Sequence, residues 1–203
     1  MSQPLAIVTG FGAFLDVRSN PTELLVRTLE AEGLGGSVAA QFQLFDTAYD
    51  AVSRRLPELL ALRPAALVLT GYSRHATRLT LERRATSRRS AEHADATGVV
   101  AGAASEHGAI DNASVDFSSL MAKLDARGIP AELSDDAGDY VCNHCYFEAL
   151  SAIRREALSS CAVFVHIPGI AGMEDGPEGA GEMSLAQLTE GIRLIARALA
   201  GAA

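Results

Sequence analysis

The amino-acid sequence predicts an α/β protein, a three-layer α/β/α single domain around a mostly parallel, twisted sheet, and three observations carry this. Short aliphatic runs, several ending at Gly or Pro, alternate with longer segments of helical period. Apolar residues make up 48% of the chain while aromatics are only 5% and Trp is absent, so Ala, Leu, Val and Gly must do most of the packing. A length of 203 residues suits one hydrophobic core, and with neither an internal repeat nor a linker, residues 1–203 read as one domain.

Residues 5–9, Leu-Ala-Ile-Val-Thr, run into the Gly-rich turn Gly10-Phe11-Gly12-Ala13-Phe14, the pattern of a buried strand and its exit loop. Asn20 followed by Pro21 is a helix start, an Asn cap with Pro at the first helical position. Leu24, Leu25, Leu29 and Leu34 continue it. A second strand is expected near 37–45, then a helix over 47–62 with Val52, Leu56, Leu59 and Leu60 on one face. Residues 65–70 form a continuous apolar run ending at Gly71, which predicts a central parallel strand. The polar, Arg-rich stretch 78–89 reads as an edge hairpin. Residues 91–112, rich in Ala, Gly, His and Asp without a period, read as a long surface excursion. Order resumes with a helix over 115–127, a break at Gly128-Ile129-Pro130 and a strand over 131–134. A helix over 142–158, a strand over 162–167, a Gly-rich loop over 169–181 and an amphipathic helix over 184–200 follow.

A formal charge of −8 argues against a nucleic-acid partner, which would need a clustered basic face. The basic residues Arg83, Arg84, Arg88 and Arg89 are too few to reverse this and read as a solvated face. The amino terminus lacks the basic segment of a signal peptide, and no apolar run approaches the ~20 residues that cross a bilayer. No membrane partner is therefore expected. Three cysteines without an export signal read as free thiols in a reducing compartment, and a cytoplasmic location is the expectation.

The segment most informative about chemistry is Asp135-Asp136-Ala137-Gly138-Asp139-Tyr140-Val141-Cys142-Asn143-His144-Cys145. A polar turn leads straight into a helix, with Cys142 in or near the first turn, where unpaired N–H groups and the helix dipole favour a thiolate nucleophile. Two other uses stay open. A lone Cys is also an ordinary small core residue, and Cys142 with Cys145 forms a C-x-x-C pair suited to redox chemistry or zinc, although no second ligand pair exists. His166, inside the run Val163-Phe164-Val165-His166-Ile167-Pro168, needs partners for its ring nitrogens. At the carboxyl end of a parallel strand it would face the crevice where α/β sheets hold their sites. His75, His93, His107 and His144 lie in loops or beside polar residues and are less constrained. Glu82 on its own is an ordinary surface carboxylate; it gains meaning only as the group that orients an imidazole.

Taken together, these segments resemble the pyrrolidone-carboxylate peptidase (pyroglutamyl peptidase I) family of cysteine exopeptidases from end to end. Ile7-Val8-Thr9-Gly10-Phe11-Gly12-Ala13-Phe14 is similar to the family's T-G-F-x-x-F opening, and Asn20-Pro21 to its N-P. Thr80-Leu81-Glu82-Arg83 is similar to T-P-E-R, Ala137-Gly138-Asp139-Tyr140-Val141-Cys142-Asn143 to the nucleophile segment, Phe164-Val165-His166-Ile167-Pro168 to F-I-H-V-P, and Met183-Ser184-Leu185 to M-S-L.

The resemblance implies a catalytic trio of Cys142, His166 and Glu82 acting through a thioester on N-terminally blocked peptides. It implies a substrate pocket lined by Phe11, Phe14, Tyr140 and Val141, no metal or other cofactor, and a homo-oligomer, dimer or tetramer. The chain departs from the pattern in several places. The Pro of T-P-E-R is Leu81, the V-A-I-N after it is Arg84-Ala85-Thr86-Ser87, and the following long loop barely aligns. The family's G-Q-A-G-G-R appears as Gly71-Tyr72-Ser73-Arg74-His75-Ala76, so Tyr72 replaces a substrate-recognising Gln. That change leaves two alternatives. The same trio acts on a different N-terminal cyclic or acyl amide with Tyr72 as its polar contact, or the scaffold is a non-catalytic binding protein.

Overall fold

The computed structural model describes residues 3–14, 17–102, 108–174 and 176–201. In chain order the elements are β1 (Leu5–Phe11), α1 (Pro21–Glu32), β2 (Ala39–Phe45), α2 (Tyr49–Ala61), β3 (Ala66–Tyr72), β4 (Leu79–Glu82), β5 (Arg84–Thr86) and β6 (Ala109–Asp111). There follow α3 (Phe117–Asp125), β7 (Ala131–Ser134), α4 (Val141–Arg155), β8 (Cys161–Ile167), β9 (Gly169–Ile170), β10 (Glu182–Met183) and α5 (Leu185–Leu199). Six strands form the central sheet in the order β2-β1-β3-β8-β4-β7. β2, β1, β3 and β8 run parallel; β4 is antiparallel to β8 and parallel to β7.

Two buried clusters make the architecture three-layered. Ala6, Val8, Val68, Leu79, Leu81, Val163 and Val165 face α1, α3 and α5, whose Leu25, Leu29, Leu120, Leu124, Leu188, Ile192 and Ile195 complete one core. Ile7, Leu67, Leu69 and Phe164 face α2 and α4, with Val52, Leu56, Leu59, Tyr146 and Ala149. Strand alternation sends neighbouring side chains to opposite faces, so covering both faces requires the near-continuous apolar runs that mark β1, β3 and β8.

Local signals act where the sequence places them. Asn20 Oδ1 accepts from Thr22 N at 3.0 Å with Pro21 at the helix start, while Asn20 Nδ2 donates to Gly12 O at 2.9 Å. Phe11 N donates to Thr22 Oγ1 at 2.9 Å. One short segment thus begins a helix and fixes the loop that leaves β1. At the other end, Ser184 and Gln187 close a reciprocal capping box on α5.

The edge hairpin expected over residues 78–89 does not form. β4 lies inside the sheet, between β8 and β7, because Leu79 and Leu81 are fully buried against the α1/α3/α5 side. Its alternate residues, Thr80 and Glu82, face the other layer. Only β5 pairs separately, with β6. Arg83 and Arg84 are exposed and Arg88 partly so, as a solvated face requires, and they make surface ion pairs with Asp135, Asp111 and Asp136. The excursion over 91–112 carries β6 at its end, and the Gly-rich loop over 169–181 starts with β9, which pairs with β10. Residues 103–107 and 175, with His107, lie outside the described residues.

Replacing Asn20 with Ala removes the helix cap and the bond to Gly12 together. Urea denaturation of Asn20→Ala is expected to show a loss of about 1–2 kcal/mol with an unchanged slope.

Candidate active site

Helix α4 starts at Val141 after an extended Tyr140 that makes no side-chain cap. The N–H groups of its first turn therefore lack both a capping side chain and an intrahelical acceptor. Cys142, the second residue, points back toward the sheet, where Gly71 makes room for it. A Cβ at Gly71 would lie 2.8 Å from Cys142 Sγ and 2.8 Å from Phe164 Cζ. In the β3–β8 register Gly71 lies opposite His166. The missing side chain at Gly71 is thus the space that lets sulfur and imidazole meet.

His166 Nδ1 lies 2.8 Å from Glu82 Oε1. A carboxylate only accepts, so Nδ1 carries the hydrogen and Nε2 is left for the sulfur side. Burial on its own would push the His166 pKa down. The influence of the neighbouring Cys142 and the hydrogen bond with Glu82 outweigh it and bring the ring up to about 9. Glu82 is only 1% exposed, which corrects its reading as a surface carboxylate. The alternation that buries Leu79 and Leu81 on one side turns Glu82 inward on the other. Its Oε2 is buried with no hydrogen-bond partner among the described residues.

Cys142, His166 and Glu82 line one open cleft of about 760 Å³ with Phe14, Tyr72 and Tyr140. Phe14 and Tyr140 form an aromatic wall, ring centroids 6.2 Å apart, and Tyr140 Oη is anchored on Ala94 O at 2.9 Å. Phe11 and Val141, expected on that wall, are instead core residues, 2% and 0% exposed. Phe11 packs on Phe45, and Val141 packs in the cluster beneath α4. Strand and helix periodicity turn both inward. The cleft also takes in His75 and His93, which the sequence treats as ordinary loop histidines. Tyr72 donates its hydroxyl proton to Glu178 O at 3.0 Å, and Ala180 N donates to Arg74 O at 2.7 Å. The rewritten loop thereby holds the 176–181 segment beside the cleft.

Two neighbours of Cys142 differ from it. Cys145 is fully buried and its thiol is pushed well up by burial. His144, read as little constrained, is buried, bonded to Ser53 Oγ at 3.0 Å and set edge-on to Tyr49. Burial and the Arg89 cation push it down to about 4, so it is neutral at physiological pH. Among the described residues no group of three His, Cys, Asp or Glu is placed to hold a metal ion. No helix among them is long and apolar enough to cross a membrane.

A cysteine at a helix mouth beside a carboxylate-bound imidazole suits a cysteine peptidase, the class that family membership assigns. The chain belongs to the pyroglutamyl peptidase family, whose model matches residues 5–201. Pyrrolidone-carboxylate peptidase 1 of Ralstonia nicotianae is 30% identical over 199 residues, 94% of this chain and 90% of that protein. The pyrrolidone-carboxylate peptidase of Oceanobacillus iheyensis is 32% identical, covering 80% of this chain and 82% of its own. Among solved structures, pyroglutamyl peptidase I of Bacillus amyloliquefaciens superposes with a TM-score of 0.86 at 22% identity, over 98% of this chain and 97% of that one. The Thermococcus litoralis pyrrolidone carboxyl peptidase gives 0.85 at 21%, over 97% and 93%. At such identity the structural likeness speaks to the fold.

Iodoacetamide should distinguish the two thiols of α4. Peptide mapping of the native protein is expected to find Cys142 alkylated and Cys145 protected until denaturant is added.

Proposed function

We propose that this chain is a cysteine exopeptidase that hydrolyses the amide bond after an N-terminal pyroglutamyl (5-oxoproline) residue, acting as one hydrolase domain over residues 1–203. The observation that carries it is the gathering of Cys142 and a Glu82-bonded His166 in one cleft with an aromatic wall. Family membership supports the substrate.

In this reading His166 takes the Cys142 proton and Glu82 holds the imidazole in the required tautomer. The thiolate attacks the carbonyl carbon. The resulting oxyanion is met by first-turn N–H groups of α4, which have no other acceptor in the helix. The imidazolium then protonates the leaving amine as the tetrahedral intermediate collapses to a thioester. Water, deprotonated by His166, hydrolyses the thioester and restores the thiol. Phe14 and Tyr140 supply an apolar wall for the cyclic acyl group. The free thiols Cys142, Cys145 and Cys161 fit a reducing, cytoplasmic location, and the family resemblance adds assembly into dimers or tetramers.

Tyr72 favours one second reading, the same trio acting on another N-terminal cyclic or acyl amide. Its hydroxyl proton is engaged by Glu178 O, so the wall does not offer the donor that a Gln would.

A reporter panel with pyroglutamyl, prolyl and N-acyl groups tests both readings. Wild type is expected to release the pyroglutamyl reporter, and Cys142→Ser to lose ~10³-fold or more in kcat/KM. Cleavage of an N-acyl reporter alone would move the assignment to the second reading, and wild-type turnover by Cys142→Ser would overturn both. The raised His166 pKa sets a direction with pH. The imidazolium needed to protonate the leaving amine persists through neutrality and is lost as pH rises through about 9. The pH profile of kcat/KM is expected to fall there.

A further inference from the structure

Four residues after Cys142, one turn along the same helix, Tyr146 is fully buried beneath the site. Its hydroxyl donates to the backbone carbonyl of Glu82 at 2.8 Å and accepts from Asn112 Nδ2 at 2.8 Å. Asn112 Nδ2 also donates to Ala162 O on β8 at 2.7 Å, and Asn112 N donates to Arg83 O at 2.8 Å. A phenol has one proton, and with Asn112 on a lone pair that proton is directed at Glu82. Burial pushes the Tyr146 phenol well up, so it remains a donor at any working pH.

The ring of Tyr146 reaches the other half of the pair. It packs on Phe164 with centroids 6.0 Å apart, and Phe164 packs on the His166 ring at 4.8 Å. Phe164 also borders the Gly71 gap that holds Cys142 Sγ. One side chain on the nucleophile helix therefore touches the Glu82 backbone directly and the imidazole through a single ring. The carboxylate has need of such an anchor, since Oε2 has no partner among the described residues and cannot fix the group itself.

We propose that Tyr146, oriented by Asn112, is a positioning residue that sets Glu82 and His166 against Cys142. The proposal rests on the reading of these three as the catalytic trio. Removing the hydroxyl takes this donor from the buried Glu82 carbonyl, lets β4 shift, and loosens the bond to His166. Small displacements of this kind are costly to reaction rate while substrate affinity holds.

The test compares wild type, Tyr146→Phe, Asn112→Ala and Leu124→Ala. The last is a core truncation on the opposite face of the sheet, expected to lower the melting temperature without touching this network. Tyr146→Phe is expected to lower kcat ~10-fold with KM within about twofold, and to move the alkaline fall of the pH profile to lower pH. Nitrogen-15 NMR of the His166 ring should show its titration midpoint moving down in the same variant and staying put in Leu124→Ala. Should Tyr146→Phe fail to fold, Asn112→Ala is expected to shift kcat and the imidazole titration in the same direction by a smaller amount. A Tyr146→Phe protein that melts earlier yet keeps wild-type kcat and an unmoved imidazole titration would overturn the proposal. The NMR readout needs no substrate. An inactive wild type would thus count against the pyroglutamyl assignment while the titrations still decided the role of Tyr146.

Discussion

The hydrogen bond between the buried carboxylate of Glu82 and Nδ1 of His166 is the contact on which the rest of the site depends. A carboxylate withdrawn from water is costly unless a donor or a cation faces it. Here one oxygen is matched and the other is not. Cys142 and this carboxylate together keep a positive imidazole favourable, in opposition to the burial that would discharge it. The surrounding structure then has two tasks: to hold the carboxylate still and to bring a sulfur to the far side of the ring.

Sheet topology performs the first task. β4 enters the sheet between β8 and β7 and runs against β8, which sets Glu82 opposite Phe164 and Thr80 opposite His166. Residues directly opposite in an antiparallel pair share a face, so Glu82 and His166 emerge on the same side, one step apart along the ladder. Helix α4 performs the second, lying over that face with its amino end at the carboxyl ends of β3 and β8. Gly71 completes the geometry by offering no side chain where the sulfur must pass. A three-layer fold with a different fifth strand would keep its core and lose this arrangement.

The cleft joins two surfaces of different origin. The aromatic side comes from Phe14, positioned by the loop that Asn20 and Thr22 secure, and from Tyr140 at the start of α4. The opposite wall comes from the loop after β3, where Tyr72 and Arg74 hold the 176–181 segment. The groups proposed to react sit on strands and on a helix, which hold position well; the wall proposed to recognise substrate sits on loops, which change more readily. The departure of residues 72–76 from the family pattern falls on loops, away from the strands and helix that carry the proposed trio.

By itself the sequence determined the layered class, the parallel aliphatic strands, the Asn20 cap, the terminal helix and the placing of Cys142 at a helix start and His166 at a strand end. The class follows from the alternation of runs along the whole chain; the others are local matters of periodicity, capping or turn chemistry. Only the tertiary structure decided that residues 79–82 enter the sheet, that Glu82 is buried, that Phe11 and Val141 face the core and that His144 is enclosed. Those outcomes depend on which element covers which face. A polar–apolar alternation such as Leu79-Thr80-Leu81-Glu82 looks the same in sequence whether its polar side meets solvent or a cleft. The link from Asn112 through Tyr146 to Glu82 joins residues 30 or more positions apart, a contact no local pattern encodes.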